Sequence, residues 1–115
     1  MQELHPVGNQ LLFENEQVRV WQVDLDGGEE LPLHQHEVPY LVMHQTDGHL
    51  GVADADGSRE RDVTGNSFEW HPVGELHALT NLGADRYRNI LVEIRPAVIT
   101  RDGGISIAEV RHEIP

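Results

Sequence analysis

The segment LPLHQHEVPYLVMHQTDG (residues 31–48) contains two histidines, His34 and His36, that are separated by one residue. Side chains two positions apart on a β-strand point to the same face, so both imidazoles lie on one side of an extended chain. Neutral imidazoles are ligands for Zn, Fe, Ni and Cu. Eight histidines in 115 residues would give about half of one such pair by chance, so the pair alone is a weak signal.

Composition excludes several kinds of chemistry. The 115 residues fit one domain, and 38% of them are hydrophobic, which is enough for a single folded core. The net charge of −12 predicts that neither nucleic acid nor an anionic membrane is a partner. The chain contains no Lys and no Cys, which excludes lysine Schiff bases, disulfides, thiolate nucleophiles and thiolate metal ligands.

The beginning of the chain, MQELHPVGNQ, has neither the basic nor the apolar region of a signal peptide. No apolar run approaches the ~18 residues that a membrane-spanning helix needs. We therefore expect a cytoplasmic protein.

Apolar residues alternate with polar ones in short segments that turn signals separate. This pattern predicts seven or eight short strands and no long helix, which is typical of an all-β sandwich or barrel. Asp-Gly in DADG (54–57) predicts the tightest hairpin turn. The clearest strand segments are VRVWQVDL (18–25), YLVMHQ (40–45), HLGVADA (49–55), NSFEW (66–70), LHALTNL (76–82) and RNILVEIR (88–95).

A second segment, GNSFEWHPVGELHALTN (65–81), strengthens the interpretation of the histidine pair. Pro72 and Gly74 predict a rigid turn, and His77 enters a strand directly after it, so the turn can aim a third imidazole at a fixed point. The two segments together resemble the paired signature motifs of the cupin superfamily: Gly28-x5-His34-x-His36 with Gly48, and Gly65-x6-Pro72-x-Gly74-x2-His77-x3-Asn81. The second motif has one more residue between its Gly and Pro than is usual.

The resemblance implies a small antiparallel jelly-roll β-barrel that forms a single domain over residues 1–115, with motif 1 at 28–48 and motif 2 at 65–81. It also implies one divalent metal ion (Fe, Zn, Ni or Mn) with His34, His36 and His77 as its ligands. The glutamate that the family places after the second histidine is missing, because Tyr40 and Leu41 occupy its positions. Within the superfamily, HQHEVPYLVMHQTDG is most similar to small cupins labelled for β-alanine degradation.

Two functions follow from the resemblance. Three-histidine cupins of the thiol-dioxygenase and diketone-dioxygenase types imply a metal-dependent enzyme that inserts oxygen into a small organic molecule, with isomerisation or hydrolysis as further reactions. The alternative is a non-catalytic, metal-stapled cupin that binds or senses a small ligand. Fold alone does not decide between them.

The sequence also suggests roles for several other side chains. Tyr40 is the candidate catalytic residue, as a hydrogen-bond donor at the open side of the metal, with barrel packing as the alternative. Packing is expected for His44, Trp21, Phe68 and Trp70, and a lesser chance of ligand contact for His71. We expect a homodimer, with QLLFENEQVRVWQV (10–23) and ISIAEV (105–110) as candidate interface strands. The tail, residues 96–115, is a candidate for one more hairpin.

Overall fold

The computed structural model describes residues 4–72 and 75–96, which form nine β-strands and no helix. All of the strand pairings are antiparallel. The part of the chain described here has no helix long and apolar enough to cross a membrane. The strands are β1 (Gln10–Glu14), β2 (Val18–Leu25), β3 (Glu30–Gln35), β4 (Tyr40–His44), β5 (Gly48–Asp54), β6 (Gly57–Val63), β7 (Ser67–His71), β8 (Leu76–Asn81) and β9 (Tyr87–Ile94). The nine strands exceed the seven or eight predicted. Six of them follow the predicted segments closely, whereas β1, β3 and β6 were not among those segments.

The strands form two facing sheets. One has five strands in the order β1-β2-β9-β4-β7, and the other has four in the order β3-β8-β5-β6. Neighbours that are distant in the chain show that the strands cross between sheets, as in a jelly roll. The predicted all-β jelly-roll fold is confirmed.

Local chemistry explains the hairpin between β5 and β6. Asp54 pairs with Gly57, and Gly57 has a φ of 122°. Residues with a side chain rarely adopt this backbone conformation, whereas glycine does so without strain. The predicted turn at residues 54–57 is therefore correct, and it starts the strand that carries Arg59 and Arg61 to the cavity described below.

The core between the sheets consists of two apolar clusters. Alternation along each strand turns every second residue inward, so both sheets contribute to the same interior. The first cluster lies away from the histidine pair, and the second includes Tyr40. Their buried members are Val23, Leu25, Leu31, Leu50, Val63 and Tyr87 in the first, and Val7, Tyr40, Val42 and Leu91 in the second.

The expected packing of two aromatic side chains is wrong. Phe68 and Trp70 do not pack in the core but are 64% and 60% exposed, because Glu69 is the residue of β7 that enters the cavity. His34 and Tyr40 lie on different strands, β3 and β4. β3 ends at Gln35, and the chain crosses to the other sheet before β4 begins. The tail hairpin expected within 96–115 lies outside the described residues apart from Pro96.

Candidate metal centre

Three histidines meet beside the paired strands β3 and β8, at one edge of the four-stranded sheet. β3 and β8 are neighbours in that sheet, and their register places His34 directly opposite His77. His36 follows the end of β3, and its backbone N–H donates to the carbonyl of Glu75, which precedes β8. One ligand nitrogen from each imidazole lies within 4.8 Å of the others. The structure thus brings together all three predicted ligands at a spacing that one ion could bridge.

The protonation state of the three rings suits a metal ion. His34 Nδ1 lies 2.8 Å from the carbonyl oxygen of Pro32. Since a carbonyl only accepts, Nδ1 donates and Nε2 keeps its lone pair for a ligand bond. His36 has a buried Nδ1 with no hydrogen-bond partner. An orphaned imidazole nitrogen beside two other imidazoles fits a metal site better than a packed core.

Burial keeps these imidazoles neutral. It lowers the pKa of His34 to about 4, an effect that the hydrogen bond to Pro32 partly opposes. Burial together with the nearby His34 lowers the pKa of His36 to about 2. The pKa of His77 is also lowered, mainly by burial. Only an unprotonated imidazole binds a metal, so the site is ready for a divalent cation well below neutral pH.

Tyr40 is packed against the site but its hydroxyl is already bonded. Its ring stacks on His36, with centroids 3.8 Å apart, and its other face stacks on His71 at 4.7 Å. The hydroxyl donates to Glu75 Oε2 at 2.6 Å. Burial raises the pKa of the Tyr40 phenol, and the hydrogen bond to Glu75 raises it further. The phenol therefore keeps its proton and is unsuited to be a metal ligand.

Glu75 is the acidic residue that the sequence interpretation missed. It lies two residues before His77, and its carboxylate reaches Tyr40 and also His71 Nδ1, at 3.0 Å. The signal was present, because positions 75 and 77 share a parity in an extended chain. Glu75 therefore places a carboxylate beside the three histidines without joining their cluster, and its Oε2 accepts from Tyr40, the residue at the family's glutamate position. Glu37, adjacent to His36, is exposed as expected.

A second polar cluster lies further along β4. His44 is buried, with Nδ1 2.6 Å from the Tyr87 hydroxyl and Nε2 2.7 Å from Glu69 Oε1. Glu69 also accepts from Arg61 and lies 3.1 Å from His71 Nε2. Burial alone would raise the pKa of Glu69, but the bonds from His44 and Arg61 outweigh it and lower that pKa. His44 and His71 thus take part in a partly buried hydrogen-bond network, and the expected packing role of His44 is replaced by bonds to Tyr87 and Glu69.

One cavity connects the metal centre and this network. It has a volume of about 70 Å³. Its wall contains both polar and apolar side chains, which suits a small molecule with a few polar groups. The polar lining is His34, His36, Tyr40, His44, Arg59, Arg61, Glu69, His71, Glu75, His77, Tyr87 and Asn89, and the apolar lining is Val7, Val23, Leu31, Val42, Leu50, Val52, Leu79 and Leu91.

The remaining sequence candidates lie elsewhere. Arg86 pairs with Asp24 and Arg95 with Glu14 on the surface, whereas Arg59 and Arg61, which the sequence interpretation passed over, line the cavity. Asn81 of the second motif is buried and bonds the backbone carbonyls of Leu25 and Asp85. Its role is to hold the loop after β8. Gly74 of that motif lies outside the described residues.

Solved structures with a similar fold include several cupins. A cupin domain from Bordetella pertussis Tohama I superposes with a TM-score of 0.73 at 24% sequence identity, covering 83% of this chain and 98% of that one. A cupin superfamily protein from Desulfitobacterium hafniense DCB-2 gives 0.58 at 15% identity, with coverages of 79% and 83%.

An RmlC-like cupin family protein from Methanocaldococcus jannaschii, described as a double-stranded β-helix, gives a TM-score of 0.61 at 15% identity, with coverages of 74% and 76%. No protein-family model and no curated protein matches the sequence. Identities this low carry the fold and not the function. The two facing antiparallel sheets and these likenesses together show that the chain has the cupin fold.

Proposed function

We propose that this protein is a divalent-metal-dependent enzyme that acts on a small organic molecule, with dioxygenase-like chemistry. The observation that carries the proposal is the convergence of three imidazoles on one point at the cavity wall: His34 and His36 are buried and His77 is half-buried. Three neutral ligands would leave the full +2 charge on the ion and would keep coordination positions open, as catalytic sites do. The further classification with cupins labelled for β-alanine degradation stays a prediction.

When bound, such an ion would supply a Lewis acid with free positions and, as iron, redox chemistry with dioxygen. The chain's own residues do the rest. Glu75 holds the backbone of His36 through its carbonyl and the Tyr40 hydroxyl through its carboxylate. Tyr40 in turn fixes the plane of the His36 ring by stacking. This pair therefore orients one imidazole and presents a carboxylate to the ligand, while the apolar wall excludes water from the remaining space.

The first test is metal binding. Single changes His34→Ala, His36→Ala and His77→Ala should each weaken Zn²⁺ binding by at least about tenfold. Each change leaves only two imidazoles, whereas even catalytic zinc sites use three protein ligands. Isothermal titration calorimetry measures the affinity. His49→Ala is the matched control, since His49 is a surface residue paired with Glu60 and Asp62. Equal affinities in all four variants would contradict the proposal.

The second test uses acid. In the unfolded chain, histidine has a pKa near 6.5, whereas burial holds the pKa of His34 at about 4 and that of His36 at about 2 in the folded protein. Below pH ~6.5 the unfolded state therefore binds protons that the native state refuses, and stability falls as pH falls, by on the order of 1 kcal/mol per pH unit for each such histidine.

The measurement is the free energy of unfolding of the metal-free protein in urea between pH 7 and pH 4.5. The variant His36→Gln should show a shallower loss of stability than the wild type over this range, since it lacks one of the buried imidazoles. The same slope in both proteins would show that His36 is not held neutral by burial.

The third test separates Tyr40 from the ligands. Tyr40→Phe keeps the ring that stacks on His36 but removes the hydroxyl that bonds Glu75. We expect Zn²⁺ affinity to stay within about twofold of the wild type, while oxygen uptake by the iron-loaded protein falls by about tenfold or more. An oxygen electrode measures the uptake, and a screen of thiols, diketones and amino-acid catabolites identifies the substrate. Unchanged turnover would show that Tyr40 only packs the barrel and takes no part in the reaction.

We also propose that the protein is a homodimer that pairs through β1. This strand is bonded on one side only, to β2, and all five of its residues are exposed. Three of them, Leu11, Leu12 and Phe13, are apolar. An edge strand of this kind is an open template for a second strand, and two copies of the same edge can pair about a two-fold axis.

Sedimentation at micromolar concentration should show twice the mass of 13.0 kDa. Phe13→Glu should give a monomer, because the charge would face the partner's apolar strand. Phe68→Glu, at the opposite edge of the same sheet, is the control and should stay dimeric. A wild-type monomer, or a dimer that only Phe68→Glu disrupts, would contradict pairing through β1.

A further inference from the structure

The end of the cavity away from the three histidines has a polar group of its own. His44, Tyr87 and Asn89, which we call the Asn89 subsite, are 3%, 0% and 4% exposed and all line the cavity. The register of β4 with β9 places His44 directly opposite Asn89. Tyr40, which stacks on His36, lies four residues before His44 on the same strand, so the subsite and the metal centre lie at different positions along β4.

Hydrogen bonds link the side chains of the Asn89 subsite. Glu69 is a carboxylate and accepts, so His44 Nε2 donates to it at 2.7 Å. The Tyr87 hydroxyl lies 2.6 Å from His44 Nδ1. The oxygen of that hydroxyl accepts from Asn89 Nδ2 at 2.7 Å. This last bond sets the orientation of the Asn89 amide, with its nitrogen toward Tyr87.

The fixed amide leaves one atom without a partner. Asn89 Oδ1 is buried and accepts no hydrogen bond. A buried acceptor without a partner is destabilising, so a site that keeps one usually fills it with water or with a ligand. The other fully buried, unpartnered side-chain atom on the cavity wall, among the described residues, is Nδ1 of His36 at the metal centre.

The size of the cavity limits what can join these two ends. A volume of about 70 Å³ corresponds to roughly five to seven water-sized positions, since one water takes about 10–15 Å³ on this measure. Because bonded atoms overlap, a molecule with slightly more non-hydrogen atoms than that, such as a four-carbon hydroxy acid, would fill the space. Between the polar ends it would lie against aliphatic side chains such as Val42 and Leu91.

We propose that Asn89 Oδ1 is a specificity-determining acceptor for a hydroxyl or amino group at the end of the ligand that points away from the three histidines. The inference rests on the proposed function, because the metal centre anchors the other end of the ligand. A ligand ending in a methyl group would leave Oδ1 unpaired. One ending in a carboxylate would place negative charge against the lone pairs of Oδ1, and the nearby Arg61 is already bonded to Glu69, so the subsite selects against both.

Three small acids of matched length test the selection. 2-Hydroxybutyrate, 2,4-dihydroxybutyrate and malate share a 2-hydroxy acid that can bind a metal, and they differ at the far end in a methyl, a hydroxymethyl and a carboxylate. Isothermal titration calorimetry measures their affinities for the Zn²⁺-loaded protein. We expect 2,4-dihydroxybutyrate to bind about tenfold more tightly than either of the others, the difference that one buried hydrogen bond supplies.

The variant Asn89→Leu has nearly the same shape and no acceptor. It should bind Zn²⁺ as the wild type does and should lose the preference for 2,4-dihydroxybutyrate over 2-hydroxybutyrate. Equal affinities of the wild type for the three acids, or a preference that survives in Asn89→Leu, would overturn the inference and leave Oδ1 to a bound water. The wild-type comparison decides even if Asn89→Leu does not fold. Failure of Zn²⁺ to bind the wild type would instead overturn the proposed metal centre, and the inference with it.

Discussion

The burial of three uncharged imidazoles beside one another is the constraint on which the rest of the site depends. An imidazole in water loses little by being protonated, but inside an apolar barrel the charge would be costly, and two neighbouring rings of the same kind make it costlier. The pairing of β3 with β8 imposes this arrangement, since it sets His34 opposite His77 and ties His36 to the residue before β8. A divalent ion would satisfy all three lone pairs at once.

The site is stiffened by aromatic and carboxylate contacts rather than by a fourth protein ligand. His36, Tyr40 and His71 form a stack of three rings, and Glu75 bonds the last two of them. Stacked rings with hydrogen-bonded edges lose little entropy on binding a ligand because they are already ordered. The tyrosine at the family's glutamate position therefore preserves the geometry of the site while removing a negative charge from the ion.

Much of this could be predicted from the sequence, and the misses have physical causes. Alternation and turn residues predicted β2 to the residue, because both are local properties. The three ligands were found because their spacing reflects a strand and a turn. Glu75 shares the parity of His77, but its contact with Tyr40 depends on β4 and β8 lying in facing sheets, and this long-range arrangement cannot be read from a local pattern. Phe68 and Trp70 were misplaced because composition predicts burial for aromatic residues, whereas the parity of β7 turns Glu69 inward instead.

X-ray absorption spectroscopy of the zinc-loaded protein tests the central claim most directly. The account predicts three imidazole nitrogens at about 2.0–2.1 Å from the ion, with the remaining position held by a water oxygen and the same spectrum in Tyr40→Phe. A first shell with fewer than three imidazoles, or one in which the spectrum of Tyr40→Phe loses an oxygen at a direct bonding distance, would contradict it.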